Sequence, residues 1–127
     1  MLVTIDQEFD EKLTLLFAQF CCEELKVFPS KIEIACAELD DKSGVCIDIE
    51  EDEFLIIVDK RNKSLSQIYA TIAHELVHVE QYMYKALGNI LDKNRDVKYE
   101  DRWWEKEAKQ KSIDLVQKFV DIYFEMS

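Results

Sequence analysis

Glycine and proline are nearly absent from this chain: two and one, respectively, in 127 residues. Few positions can therefore adopt φ > 0 or carry a ring-fixed φ, which excludes collagen-like, low-complexity and loop-rich sandwich architectures. Phe28-Pro29-Ser30 ends the first element, because a residue before proline avoids the α region. Upstream of it, over about residues 6–27, Phe9, Leu13, Leu16, Phe17, Phe20 and Cys21 recur at helical spacing. Downstream, over residues 31–39, Ile32, Ile34 and Cys36 alternate with polar positions, as in a half-buried strand. Asp40 to Gly44 reads as a turn in which Gly44 is free to take φ > 0. Val45, Ile47 and Ile49 then alternate as a second strand, and Glu51-Asp52-Glu53 makes a tight connection. Residues 54–58, Phe-Leu-Ile-Ile-Val, are apolar on both faces, the pattern of a strand covered on both sides.

The second half is helical. Arg61-Asn62-Lys63 is a polar hinge, and Ser64-Leu65-Ser66-Gln67 is a capping box opening a helix to about Leu87, with Gly88 as its C-terminal stop. Residues 89–101 show no sustained period. A last helix is expected over about residues 102–126, with Trp104, Ala108, Leu115, Phe119 and Tyr123 on one stripe. The expected fold is one α+β domain over residues 1–127, in the order α-β-β-β-α-α, with a small antiparallel meander.

At this size a domain buries roughly two thirds of the surface of its unfolded chain, so a core forms without staples. Sixteen basic against 27 acidic residues give a net charge of −11. Such a surface repels phosphate backbones and anionic lipid heads, so neither nucleic acid nor membrane is an expected partner. A cationic partner would be welcome electrostatically, although acidity serves solubility equally well. No apolar run reaches the roughly 18 residues of a membrane span. No basic stretch precedes an apolar one at the N-terminus, so no signal peptide is expected. Cys21, Cys22, Cys36 and Cys46 form no CxxC pair, which argues against a thiolate zinc knuckle. Cys36 and Cys46 lie on strands and can face each other, but four free thiols in a reducing cytoplasm are the simpler expectation.

Chemistry concentrates in the helix after the capping box, at His74-Glu75-Leu76-Val77-His78. Residues i and i+4 lie one turn apart on one face, so both imidazoles can converge on a metal ion. Glu75 lies roughly 100° round the helix from His74, where it can reach a metal-held water as general base. Two histidines placed at random would fall into this pattern only about two times in a thousand, which makes it worth pursuing. A catalytic zinc takes three protein ligands and keeps the fourth position for water. The chain has no third histidine and no downstream cysteine, so the third ligand is expected to be a carboxylate. Glu105 shares a helix face with Ala108, whose small side chain allows close helix approach, and is the leading candidate. Glu107, expected to point away into solvent, and another acid of the chain are the alternatives.

His74-Glu75-Leu76-Val77-His78 followed by Glu105-Lys106-Glu107-Ala108 resembles the gluzincin zinc peptidases of the ExxA type. The length and element order resemble their single-domain forms, the minigluzincins. The stretch from His74 to Tyr82 is also similar to small phage and bacterial metallopeptidase-like proteins of the SprT-like and ImmA/IrrE types. The resemblance implies zinc held by His74, His78 and Glu105, with Glu75 activating water against a peptide or protein substrate. It implies that residues 54–58 form the sheet edge above the cleft, where an extended peptide adds as a strand. Several relatives carry an acid or Asn four residues after the ligand Glu to orient a zinc histidine; Lys109 stands there in this chain. Tyr82, Tyr84, Tyr99 and Arg102 are the candidate oxyanion donors. Trp103 and Trp104 are expected to anchor a core edge, and Glu50-Glu51-Asp52-Glu53 to form a solvated hairpin tip. The competing functional reading is a zinc-containing minigluzincin fold that binds a protein partner and cleaves little or nothing.

Overall fold

Asp10 sets the start of helix α1 (Glu11–Leu25), its carboxylate accepting from the Leu13 N–H at 3.0 Å. The helix starts five residues later than its hydrophobic pattern suggests, because Leu2–Ile5 form strand β1 and a turn intervenes. Thr14, Phe17, Ala18, Cys21 and Cys22 are its buried positions, and Lys26 ends it in the left-handed region. The computed structural model describes residues 1–124; the expected helix end at Met126 lies outside them.

Strands β2 (Lys31–Cys36), β3 (Gly44–Glu50) and β4 (Glu53–Val58) complete the sheet, whose order is β1-β2-β4-β3. This is a correction: the sheet is mixed, not an antiparallel meander. β1 runs parallel to β2 and β2 parallel to β4; only β3 and β4 form an antiparallel hairpin. The chain passes over the β4 slot on leaving β2, lays down β3, and returns between them. Composition explains the order. Phe54-Leu55-Ile56-Ile57-Val58 has no charge to solvate and takes an interior position, whereas β3 carries Asp48 and Glu50 and takes the edge. The expected edge at residues 54–58 is therefore interior, and the exposed edge beside the helices is β3. Cys36 and Cys46 do not face each other, since β4 lies between their strands. All four cysteines are free thiols, with Cys21 and Cys22 completely buried.

Ile32, Ile34, Phe54, Ile56 and Val58 alternate onto one buried sheet face. Leu55 and Ile57, on the opposite face, are only half-buried, so β4 is not covered on both sides as expected. Helix α2 (Leu65–Tyr84) packs on the buried face, and its capping box is formed: the Gln67 N–H donates to Ser64 Oγ at 3.2 Å and the Ser64 N–H to Gln67 Oε1 at 2.8 Å. Phe17 stacks on Tyr69 and meets Phe119 edge-on, both at 4.9 Å between ring centroids, so one side chain joins α1, α2 and α4 (Trp103–Tyr123). Burying such side chains is worth roughly 1.5–3 kcal/mol each.

Helix α2 ends at Tyr84, earlier than expected, and Gly88 is not its stop. Ala86 makes the reversal at φ 53°, and Gly88 lies inside a further short helix, α3 (Leu87–Lys93). The buried Leu87 anchors that helix. A 3-10 turn, Tyr99–Asp101, leads into α4. The architecture is α+β: four helices and a small four-stranded mixed sheet among the described residues. No helix there is long and apolar enough to cross a membrane.

Candidate metal centre

The helical period of α2 places His74, Glu75 and His78 toward the cleft and Gln81 against α4, while Ile72, Ala73, Leu76 and Val79 enter the core. Helix α4 crosses the histidine face with Ala108 completely buried and delivers Glu105 from its first turn. Glu105 Oε1 lies 3.1 Å from His74 Nε2 and 2.7 Å from His78 Nε2. The two imidazoles stand nearly perpendicular, 4.9 Å apart between centroids. Ligand atoms around a tetrahedral zinc with bonds of about 2.0–2.1 Å lie roughly 3.3 Å apart. The two contacts of Glu105 Oε1, at 3.1 and 2.7 Å, are both shorter than such an edge, and the donor set of two nitrogens and one carboxylate oxygen suits zinc. His74, Glu75 and His78 also offer ligand atoms within 4.8 Å of one another, so Glu75 stands beside the same point. Of the two acids, Glu105 is the one in direct contact with both ring nitrogens.

The same functional group meets opposite electrostatic surroundings at these two positions. Burial pushes the Glu75 carboxyl above its ordinary range, and the two histidines only partly counter it. Burial also works to raise Glu105, but hydrogen bonds with His74 and His78 outweigh it and hold that carboxyl well below the ordinary range. Burial disfavours charge on His78, yet Glu105, Glu75 and Gln81 together raise its pKa. A pair of carboxyls driven apart in this way provides one persistent anion and one group able to exchange a proton.

Glycine 44 has a different reason from the one its turn-like context suggests. Its φ is not positive. A Cβ there would lie 2.5 Å from Thr71 Cγ2 and 3.3 Å from both Glu75 Cγ and Oε2. Glycine lets the edge strand β3 press directly against Glu75. Together β3, α2, α3 and the start of α4 enclose a cleft of roughly 840 Å³.

Tyr82, Tyr99 and Arg102 line this cleft; the fourth candidate donor, Tyr84, is not among its lining residues and is exposed. Burial above all, with Cys46, Asp48 and Glu75 nearby, pushes the Tyr82 phenol up to about 12, so it remains an O–H donor at neutral pH. Trp104 is buried and also lines the cleft, while Trp103 is partly exposed. Cys46 lines the cleft too, its thiol pushed up chiefly by burial. Glu50 to Glu53 form the β3–β4 hairpin tip.

Two expectations change. Glu107 is not solvated: it is half-buried, accepts from Gln81 Nε2 at 2.9 Å and pairs with Lys85 Nζ at 2.7 Å. Lys109 does lie at the cleft, but the partner of a candidate histidine comes from elsewhere, since Gln81 Oε1 is 2.7 Å from His78 Nδ1. The signal was present as spacing: Gln81 follows His78 by three residues and so shares its helix face.

Comparison of the chain with protein-family models, with curated proteins and with solved structures finds no match.

Proposed function

We propose that this chain is a zinc-dependent peptidase with a minigluzincin-like arrangement, in which His74, His78 and Glu105 hold the ion and Glu75 is the general base. The observation that carries the reading is the meeting of His74 Nε2, His78 Nε2 and Glu105 Oε1 at one point, with the buried Glu75 carboxyl beside it. Bound zinc would supply a Lewis acid that polarises a scissile carbonyl and acidifies the attacking water. Glu75 takes that water's proton and returns it to the leaving amine, a cycle its raised pKa suits. Glu105 keeps its charge throughout. Tyr82, held as a phenol, can donate to the developing oxyanion.

The exposed backbone of β3 runs along the cleft beside Glu75, so an extended peptide adding to that edge would present a peptide bond to the base. Peptide or protein substrates fit such a strand-pairing cleft, and the net charge of −11 disfavours nucleic acid. Free thiols suit a reducing compartment, and the reading places the protein in the cytoplasm.

The test is hydrolysis of a broad peptide library by zinc-loaded protein, with a chelated sample and Glu75→Gln as controls. Glu75→Gln keeps the shape and the zinc but cannot take a proton, so cleavage should be lost in both controls. An active preparation whose rate survives Glu75→Gln would show that this base is misassigned. Zinc-loaded protein that cleaves nothing across the library would favour a binding module built on the same fold.

A further inference from the structure

The chain carries a net charge of −11, yet its cleft does not share that sign. Apart from Glu75 and Glu105, the charged residues lining it are Lys42, Arg102 and Lys109 against Asp41 alone. Lys42 and Lys109 are exposed, and neither makes a hydrogen bond or an ion pair through its ammonium group among the described residues. They give the cleft a positive field and no fixed geometry.

Arg102 differs from both, because it is half-buried and held in place. Its Nε donates to the Val97 carbonyl at 3.0 Å, and its guanidinium carbon lies 5.9 Å from the centre of the Tyr99 ring. Both partners belong to the connection that leads into α4, so the side chain folds back on its own approach. The two Nη groups make no hydrogen bond or ion pair among the described residues, although Glu100 and Asp101 are close in sequence. A guanidinium offers parallel N–H donors whose spacing matches the two oxygens of a carboxylate. One already held by Nε and by a ring gives up little further freedom when it binds.

We propose that Arg102 is a specificity residue of the cleft, taking a carboxylate of the bound peptide, from an acidic side chain or a free C-terminus, in a two-pronged ion pair. This rests on the peptide-cleft reading above. A peptide paired with the β3 edge turns alternate side chains toward the cleft, so one carboxylate in the right register meets Arg102, and Lys42 and Lys109 draw the same charge inward. The acidity of the chain as a whole favours a cationic partner; the cleft favours the opposite charge.

The experiment measures binding by fluorescence anisotropy in zinc-supplemented Glu75→Gln protein, which in the scheme above holds peptide without cleaving it. The probes are a labelled hexapeptide of alternating Ser and Val blocked at both ends, the same peptide with one Glu at each position in turn, the same with one Lys in turn, and the unsubstituted peptide with a free C-terminal carboxylate. At least one carboxylate-bearing peptide should bind about 10–100-fold more tightly than the neutral one, and no Lys peptide should. Preference for an internal Glu identifies an acidic side chain as the ligand, and preference for the free terminus identifies the chain end. Adding Arg102→Gln should remove the difference between that peptide and the neutral one, and Arg102→Lys, which keeps the charge without the fork, should restore only part of it. Equal binding of neutral and carboxylate-bearing peptides would overturn the proposal without any Arg102 variant, while leaving the peptide cleft intact. A preference that survives Arg102→Gln in a folded protein would equally overturn it. Failure of every peptide to bind would overturn the peptide-cleft reading and this proposal with it.

Discussion

The two faces of α2 are both largely buried and chemically opposite. On one, Ile72, Ala73, Leu76 and Val79 are completely buried among the residues of the core. On the other, Glu75, His78 and Gln81 are buried to a similar degree, at 6, 9 and 0% exposure. Removing the first face from water is itself favourable. Removing the second is costly: hydrogen bonds compensate His78 and Gln81, while burial pushes the Glu75 carboxyl above its ordinary range. The first face should therefore hold the helix in place and the second should hold the chemistry, so changes on the two sides should fail differently.

The largest effect on the apolar side is expected from Leu76→Ala. The side chain is completely buried, and truncation should cost about 2–5 kcal/mol in denaturant unfolding. A loss under 1 kcal/mol would show that the core does not rely on this face. On the polar side, the His74→Ala/His78→Ala double variant should lose the stabilisation that zinc gives wild type, about 2.7 kcal/mol at a free concentration 100 times Kd. Equal zinc-induced shifts in melting temperature for the two proteins would remove the distinction between the faces.

Ala108→Leu tests the seam where α4 meets the histidine face. Ala108 is completely buried, and the added volume should cost about 1–3 kcal/mol while weakening zinc binding, because displacing α4 displaces Glu105. Unchanged stability and zinc affinity would show that the seam does not position the ligand. The smallest effect is expected at a carboxylate remote from both faces. Asp59 accepts from the Arg61 side chain and from the Leu39 and Arg61 N–H groups, which hold its carboxyl well below the usual range. A pKa lowered by folding contributes stability above the unfolded value near 3.9, and that contribution fades as pH falls through the folded value. Asp59→Asn should therefore destabilise the protein at neutral pH and progressively less in acid. A pH-independent effect would mean the carboxylate's charge is not what matters there.

The contrast between faces also marks what was legible in the sequence. Periodicity alone separates Leu76 from His74 and His78, and the Ser64–Gln67 capping box identifies where α2 begins. The acid brought to the histidines by α4 followed from counting the ligands available. Sheet order was not legible, because alternation reports which way a side chain faces and not which strand lies alongside. The uncharged run at 54–58 was the available clue to an interior strand. β1 went unread because four residues are too short to establish a period, and α3 because Ala86, a residue with no special claim on the left-handed region, makes the turn. Gln81 and Glu107 were missed for a related reason: a buried polar side chain announces itself only through its partners, here on two helices 26 residues apart in sequence.

The central claim is that α2 and α4 meet around one metal ion, and anomalous diffraction at the zinc edge from crystals of zinc-supplemented protein tests it most directly. The account predicts a single strong peak about 2.0–2.1 Å from His74 Nε2, His78 Nε2 and a Glu105 oxygen, with Glu75 beside it and not bound to it. No peak between the histidines, or a peak held by Glu75 in place of Glu105, would contradict it.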